Sequence, residues 1–332
     1  MATVYPYVSF IPLKDYYVSD KEQRLYFNEL ACYDKDGYFR VSTEGVSYPA
    51  VKVGSNGISD YAEFTFTENT DFTLTISYCY HREVVKSHTV NVHVRVNALP
   101  KKKYLFLGDS LTEAGHIQNF FKELNGDAVT LYGTRGEGEL LHEGRSSWGM
   151  GHYFSPAKGS VTNAFYNPET ETFDFSYYMK EHPEFADVDV VNIFLGRNNG
   201  FGLAIMDKID YMVASIKAFN PAITVTLMGA YNVAPDNTGT GRYLQSADDF
   251  NYAAHLYNKA FYERYAKSED VFLIPAHLNL DNKYDYTLVE EPISAFDERT
   301  VMRYNNNVHP DKRGYRKLGV AVRAFFKHFW SR

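Results

Sequence analysis

The tetrapeptide Gly108-Asp109-Ser110-Leu111 follows the apolar run Tyr104-Leu105-Phe106-Leu107 and opens a helix-like segment from Leu111 to Leu124. Glycine permits a tight turn there. It delivers Ser110 at a helix start, where backbone N–H groups and the positive helix end suit an oxyanion forming beside it. Asp and Ser also fill helix N-caps routinely, so the tetrapeptide alone reads equally well as a cap. A serine nucleophile needs a base. Asn306-Asn307-Val308-His309-Pro310 precedes Asp311-Lys312-Arg313-Gly314-Tyr315 and sets His309 on a loop before the final helix, which can carry it over a sheet edge. Most of the 11 histidines need no such role.

Two further turns bear on the same chemistry. After the apolar run 188–195 comes Gly196-Arg197-Asn198-Asn199-Gly200, whose amide side chains can aim N–H groups at a developing negative charge. Glu143-Gly144-Arg145-Ser146-Ser147-Trp148-Gly149 is a second glycine turn after a strand. In open parallel sheets, sites form beyond the carboxyl ends of the strands, which is where these turns fall.

The elements that must position them follow from the pattern. Apolar runs 104–107, 129–132, 188–195, 223–228 and 271–274 alternate with helical stretches at 111–124, 203–219, 246–266 and 312–329. Strands apolar on both faces, alternating with helices, predict an α/β fold with a parallel sheet covered by helices. Residues 1–98 differ: short runs such as 63–67, 72–78 and 89–96 alternate apolar and polar residues between turns at Asp34-Lys35-Asp36-Gly37 and Ser55-Asn56-Gly57. That pattern predicts a small antiparallel all-β sandwich, immunoglobulin-like only at the level of fold. A solvated link at Pro100-Lys101-Lys102-Lys103 separates residues 1–98 from a second domain at 99–332.

Composition bounds the partners. The 332 residues carry 34 Lys and Arg against 41 Asp and Glu, a net charge of −7, which argues against nucleic acid. No apolar run is long enough to insert in a membrane, and no secretory signal is visible. Cys32 and Cys79 read as two separate buried thiols or as one disulfide.

Gly-Asp-Ser-Leu early, the block-two glycine, Gly-x-Asn in the middle and His-Pro near the end, in that order, resemble the SGNH (GDSL) hydrolase superfamily over residues 104 to about 330. His142-Glu143-Gly144-Arg145-Ser146-Ser147-Trp148 resembles the block-two segment of its carbohydrate-esterase branches. The resemblance implies a three-layer α/β/α, flavodoxin-like domain and acyl-ester hydrolysis. It implies Ser110 as nucleophile and His309 as general base, with an oxyanion hole from the N–H groups of Ser110 and Gly144 and the side chain of Asn198.

Two positions depart from that pattern. Asn199 stands where the family carries an acid that is not usually chemical. Asn306 stands three residues before the histidine, where the family places an Asp that orients it. Asn can accept the imidazole N–H through its carbonyl, but it supplies no negative charge. The wrong tautomer cost about 10⁴ in rate in a serine protease. Three readings follow: Asn306 or a backbone carbonyl orients His309, another carboxylate such as Asp311 has taken over, or the pocket is kept for binding. The first is favoured, because Ser110, Gly144, Asn198 and His309 are all intact.

Loops rich in Tyr, Asn, Gly and Phe, among them 163–168, 173–178, 231–233 and 237–243, suit sugar rings. Asp109, Arg145, Trp148, Arg197 and Tyr231 are the candidate substrate contacts. The expected substrate is an O-acetyl group on a carbohydrate or another small ester, with no cofactor or metal called for. The rival reading is a glycan-binding or phage tail or baseplate module with a weakened pocket. An extracellular or virion-associated site of action is favoured, and an oligomer or larger assembly stays open.

Overall fold

The computed structural model describes residues 7–34, 37–46, 50–55, 60–235, 246–306 and 308–331. The loop 237–243, Asn307 and parts of the two predicted turns at 34–37 and 55–57 lie outside the described residues. The chain divides into two compact units. One is Met1–Asn97 with Tyr231–Lys259 and Pro275–Arg332; the other is Ala98–Ala230 with Ala260–Ile274.

In the first unit the alternating runs become strands β1 (Val8–Phe10), β2 (Asp15–Val18) and β3 (Gln23–Tyr26), a one-turn helix α1 (Phe27–Leu30), then β4 (Ala31–Tyr33) and β5 (Tyr38–Glu44). β6 (Val51–Ser55), β7 (Asp60–Phe64), β8 (Thr70–Tyr80) and β9 (Glu83–Val94) follow. They form a four-stranded sheet ordered β2-β9-β8-β5, a three-stranded sheet β3-β7-β6 and the pair β1-β4. Along β8 the period of two is plain: Phe72, Leu74, Ile76 and Tyr78 are buried, and the residues between them are not. The sequence pattern predicts antiparallel strands, and one pair departs from it: β2 runs parallel to β9. Alternation reports which face is buried and carries no information on strand direction. Cys32 and Cys79 are both free thiols, the first half-buried and the second buried.

The second unit holds β10 (Lys102–Gly108), α2 (Ser110–Glu113), α3 (His116–Asn125), β11 (Val129–Tyr132), β12 (Arg135–Glu137) and β13 (Leu140–Gly144). Two small ribbons follow, β14 (Ala157–Lys158) with β15 (Val161–Thr162) and β16 (Tyr166–Asn167) with β17 (Thr172–Phe173). After these come α4 (Phe175–Glu181), β18 (Val190–Phe194), α5 (Met206–Phe219), β19 (Thr224–Met228), α6 (Ala247–Tyr265), whose last residues belong to this unit, and β20 (Val271–Ile274). The predicted helix 111–124 is broken into α2 and α3 at Gly115, which sits at φ +73°.

β10 pairs in parallel with β11 and, further along, with β13 on one side, and with β18 on the other; β19 and β20 extend the sheet. With β10, β11, β18, β19 and β20 taken in chain order, the spatial order is 2-1-3-4-5, the flavodoxin-like arrangement. Every residue of β18 and β19 is buried, as strands covered on both faces must be. The amphipathic faces of α3 (Ile117, Phe120, Phe121) and α5 (Ile209, Met212, Ile216) are buried too.

The ribbon β21 (Leu288–Ser294) with β22 (Asp297–Tyr304) and the helix α7 (Lys312–Phe329) complete the first unit. α7 is tied to the N-terminal strands. Asp20 accepts from Arg323 and from Lys327 at 2.8 Å, Lys327 Nζ also donates to the Val96 carbonyl at 2.8 Å, and Tyr17 meets Phe325 edge-on.

Candidate active site

Strand β10 ends at Gly108 in a space no side chain could share. A Cβ there would lie 2.1 Å from Thr112 Oγ1 and 2.7 Å from the Phe194 carbonyl oxygen. Asp109, 1% exposed, caps α2 by accepting the Leu111 N–H at 3.0 Å. Ser110 follows as the first residue of α2 and is half-buried. Register pairs Gly108 with Gly144 on β13 and with Phe194 on β18. Three strand ends bearing Ser110, Gly144 and Asn198 therefore share one edge of the sheet. They stand where the strand order reverses between β10 and β18, the position at which open α/β sheets form ligand crevices.

The flanking turns are drawn tightly onto this point. At Gly144 a Cβ would fall 2.2 Å from the Glu113 nitrogen, so glycine alone lets β13 end against α2. Asn198 directs its Nδ2 to Asp109 Oδ2 at 3.3 Å and to the Trp148 carbonyl at 3.0 Å. The Gly144 N–H donates to Nδ1 of His142 at 3.0 Å. Burial pushes the His142 imidazole down, which keeps that nitrogen an acceptor. Burial also pushes the Asp109 carboxyl up to about 6, against the opposing pull of the Leu111 N–H and the Arg197 charge. Asn199, the residue in place of an acid, accepts the Met150 N–H at 2.8 Å and fixes the following loop.

Several predicted substrate contacts are interior residues. Arg145 pairs with Glu143 at 2.7 Å, both side chains buried, and its guanidinium lies 5.2 Å over the Trp148 ring. Trp148 itself is 1% exposed. Glu143 is held further by the Tyr178 hydroxyl at 2.9 Å and the Thr134 N–H at 2.6 Å. The Tyr153 hydroxyl reaches the carbonyls of Gly108 and Glu143 at 2.7 and 2.9 Å. This buried layer of Glu143, Arg145, Trp148, Tyr153 and Tyr178 supports the nucleophile turn. Sequence reasoning gave Glu143 and Tyr153 no role, the adjacency of Glu143 to Gly144 being the only signal, and it set Tyr178 in a loop suited to sugar rings, whereas Phe173, Phe175 and Tyr178 are buried. Arg197 is likewise buried, with its guanidinium 5.3 Å over Phe201.

The remaining predicted residues lie in the first unit, Asn306 and His309 on the loop before α7 and Tyr231 shortly after β19. His309 is half-buried. The Asn306 side-chain oxygen accepts the backbone N–H groups of Val308 at 2.8 Å and His309 at 3.0 Å. The amide oxygen expected to meet the imidazole thus serves the loop's own backbone. Tyr231 is buried and its hydroxyl donates to the Val308 carbonyl at 3.3 Å. Asp311 caps α7 through the Arg313 and Gly314 N–H groups. Burial raises its carboxyl, but the Arg313 guanidinium and the capped N–H groups outweigh that and hold it below its ordinary range. The structure thus gathers Asp109, Ser110, Gly144 and Asn198 at one sheet edge, and Asn306 and His309 on one loop that the Tyr231 hydroxyl meets at Val308.

No family model matches the chain, and no curated protein matches it. Among solved structures it is similar to Est24, a carbohydrate acetylesterase from Sinorhizobium meliloti, at 15% identity and TM-score 0.43, covering 69% of this chain and 100% of that one. It is similar to a family 3 carbohydrate esterase from Clostridium thermocellum at 13% identity and TM-score 0.40, covering 67% and 93%. A protein from Parabacteroides merdae described as a GDSL-like lipase is similar at 15% identity and TM-score 0.37, covering 70% and 99%. All three likenesses fall below 25% identity and a TM-score of 0.5.

Proposed function

We propose that this chain is a serine esterase that removes O-acetyl groups from a carbohydrate, with Ser110 as nucleophile and His309 as general base. The observation that carries the reading is the placement of Ser110. It stands at the end of the central strand, at the reversal of strand order, with the Asn198 amide and the Gly144 N–H on the flanking strand ends.

In the forward step the Ser110 hydroxyl attacks the acetyl carbonyl and His309 takes its proton. The oxyanion is held by the N–H groups of Ser110 and Gly144 and by Asn198. The 3.3 Å contact of Asn198 to Asp109 is its weaker bond, and the one that an oxyanion replaces. His309 then returns its proton to the leaving sugar oxygen, and acetyl-Ser110 remains. Water activated by the same imidazole hydrolyses it. Asn306 contributes by setting the loop through the Val308 and His309 N–H groups, so the imidazolium receives no negative charge from position 306.

Hydrolysis of p-nitrophenyl acetate by Ser110→Ala tests the assignment: the expected result is loss of turnover, and a rate equal to the unaltered chain overturns it. A second reading, a glycan-binding module with a weakened pocket, draws on the internal acceptors already engaged by Gly144 and Asn198. Measurable glycan binding without turnover on any acetylated glycan favours it.

A further inference from the structure

A cavity of about 450 Å³ lies among residues of the first unit alone, walled by α1, β4, the segment after Tyr231, the first part of α6 and Asn282. Its volume is within the roughly 300–1,000 Å³ range of small-molecule sites. We propose that this cavity binds a neutral polyhydroxyl ligand, a mono- or disaccharide unit. The inference stands whether or not Ser110 hydrolyses esters.

The lining selects the ligand by exclusion first. Among the described residues it contains no Lys or Arg to neutralise an anion, and Ala31 is its only aliphatic residue, so it offers little to a lipid chain. Among the described residues no group of His, Cys, Asp and Glu is placed to hold a metal ion. Glu29, buried in the wall, accepts the Asn232 N–H on its two oxygens at 3.0 and 3.3 Å. His255 is bonded through Nε2 to Ser9 Oγ at 3.0 Å, and burial with the nearby Lys259 charge pushes it down to about 4, so it is neutral.

Asp248 is the exposed carboxylate of the lining, and the five asparagines Asn28, Asn232, Asn251, Asn258 and Asn282 make the rest of its polar surface mainly amide. Asn28 donates to Asn282 Oδ1 at 3.0 Å, Asn282 donates to the Val233 carbonyl at 3.4 Å, and Asn232 donates to the Asn28 carbonyl at 3.1 Å. Asn251 accepts the Val233 N–H at 2.8 Å. This network engages the Asn251 oxygen, and Asp248, three residues before it on α6, brings an exposed carboxylate to the same lining. The Asp248 carboxylate as acceptor and the Asn251 amide on the same helix match a sugar hydroxyl or a pair of them, since each hydroxyl both gives and takes a hydrogen bond. Tyr252, 47% exposed, adds an aromatic face of the kind that sugar rings lie against.

Cys32 provides the local reporter. It lines the cavity and is half-buried, whereas Cys79 is fully buried. The full chain is treated with iodoacetamide alone, or with millimolar glucose, galactose, N-acetylglucosamine, cellobiose or lactose, and alkylation of Cys32 is followed by peptide mass spectrometry. The expected result is that at least one saccharide slows alkylation of Cys32. Its apparent affinity falls about fivefold in Tyr252→Ala and about tenfold in Asn251→Leu. Protection at Cys32 separates this cavity from the Ser110 region. The proposal is overturned if none of these sugars protects Cys32, if spermidine protects and the sugars do not, or if protection survives both substitutions unchanged. Tyr252→Ala removes an exposed ring, so a folded variant is available to read the result.

Discussion

At Ser110 the backbone is held by glycines pressed against packed atoms and by charges sealed from water. At His309 it is held by two N–H bonds to a neutral amide and one from a tyrosine hydroxyl. Gly108 and Gly144 touch neighbouring main chain and side chain so closely that a methyl group has no room. Glu143 and Arg145 form a buried ion pair beneath the same turn. On the histidine loop, Asn306 serves the Val308 and His309 N–H groups, and Asp311 serves the start of α7. The nucleophile turn therefore gets its accuracy from packing that tolerates no change. The histidine loop gets its accuracy from hydrogen bonds that a chemically different side chain could reproduce.

That contrast sets the order of expected effects. His309→Ala removes the proposed base and should lower kcat/KM on p-nitrophenyl acetate by about 10²–10⁴-fold with the fold intact; an unchanged rate would remove His309 from the mechanism. Gly144→Ala forces a Cβ to within 2.2 Å of the Glu113 nitrogen. Overpacking of this kind costs typically about 1–3 kcal/mol, so chemical denaturation should show a loss in that range together with reduced activity. On the other side of the comparison, Asn306→Asp keeps an oxygen for both N–H groups and should retain stability, with kcat/KM shifted less than about tenfold. Asn306→Ala should lose about 1 kcal/mol and more activity than the Asp variant. Equal losses in the two variants would mean that the amide nitrogen, and not the oxygen, is what matters.

The smallest effect concerns the seam between α7 and the N-terminal strands. His93 bridges Asp15 at 3.1 Å and Asp71 at 2.9 Å and stacks near His328. The Asp15 hydrogen bond raises the His93 pKa above 6.5, so its contribution is fully present below 6.5 and is lost as pH rises through the folded value. The His93 bond to Asp15 and the Arg95 bond to Asp71 hold these carboxyls below 3.8, so their contributions are present above 3.8 and are lost as pH falls. Thermal unfolding followed from pH 3 to 9 should therefore be most resistant between those limits, and His93→Gln should flatten the alkaline side.

The parallel sheet and its turns were legible in the sequence because buried strands, helical periods and glycines at strand ends are local signals. The run 271–274 and the helix 312–329 stand where the pattern placed them. The burial of Arg145, Trp148 and Tyr231 was not legible, since a charged or aromatic residue in a glycine turn looks the same whether its partner is a sugar or a buried glutamate. Nor was the union of the C-terminal helix with the N-terminal strands, because Asp20 and Arg323 meet across 303 residues of chain. The use of Asn306 on the backbone was hidden for a simpler reason: its type allowed a bond to the imidazole or to the loop, and only the loop's conformation decides between them.

The account's central claim is a covalent acyl-enzyme on Ser110. Treatment of the full chain with a fluorophosphonate reagent, followed by peptide mapping, addresses it directly. The account predicts one adduct, on the peptide carrying Gly108-Asp109-Ser110-Leu111, with parallel loss of acetyl-ester hydrolysis and no adduct in Ser110→Ala. An adduct on another serine, or hydrolysis that continues undiminished once Ser110 is modified, would contradict it.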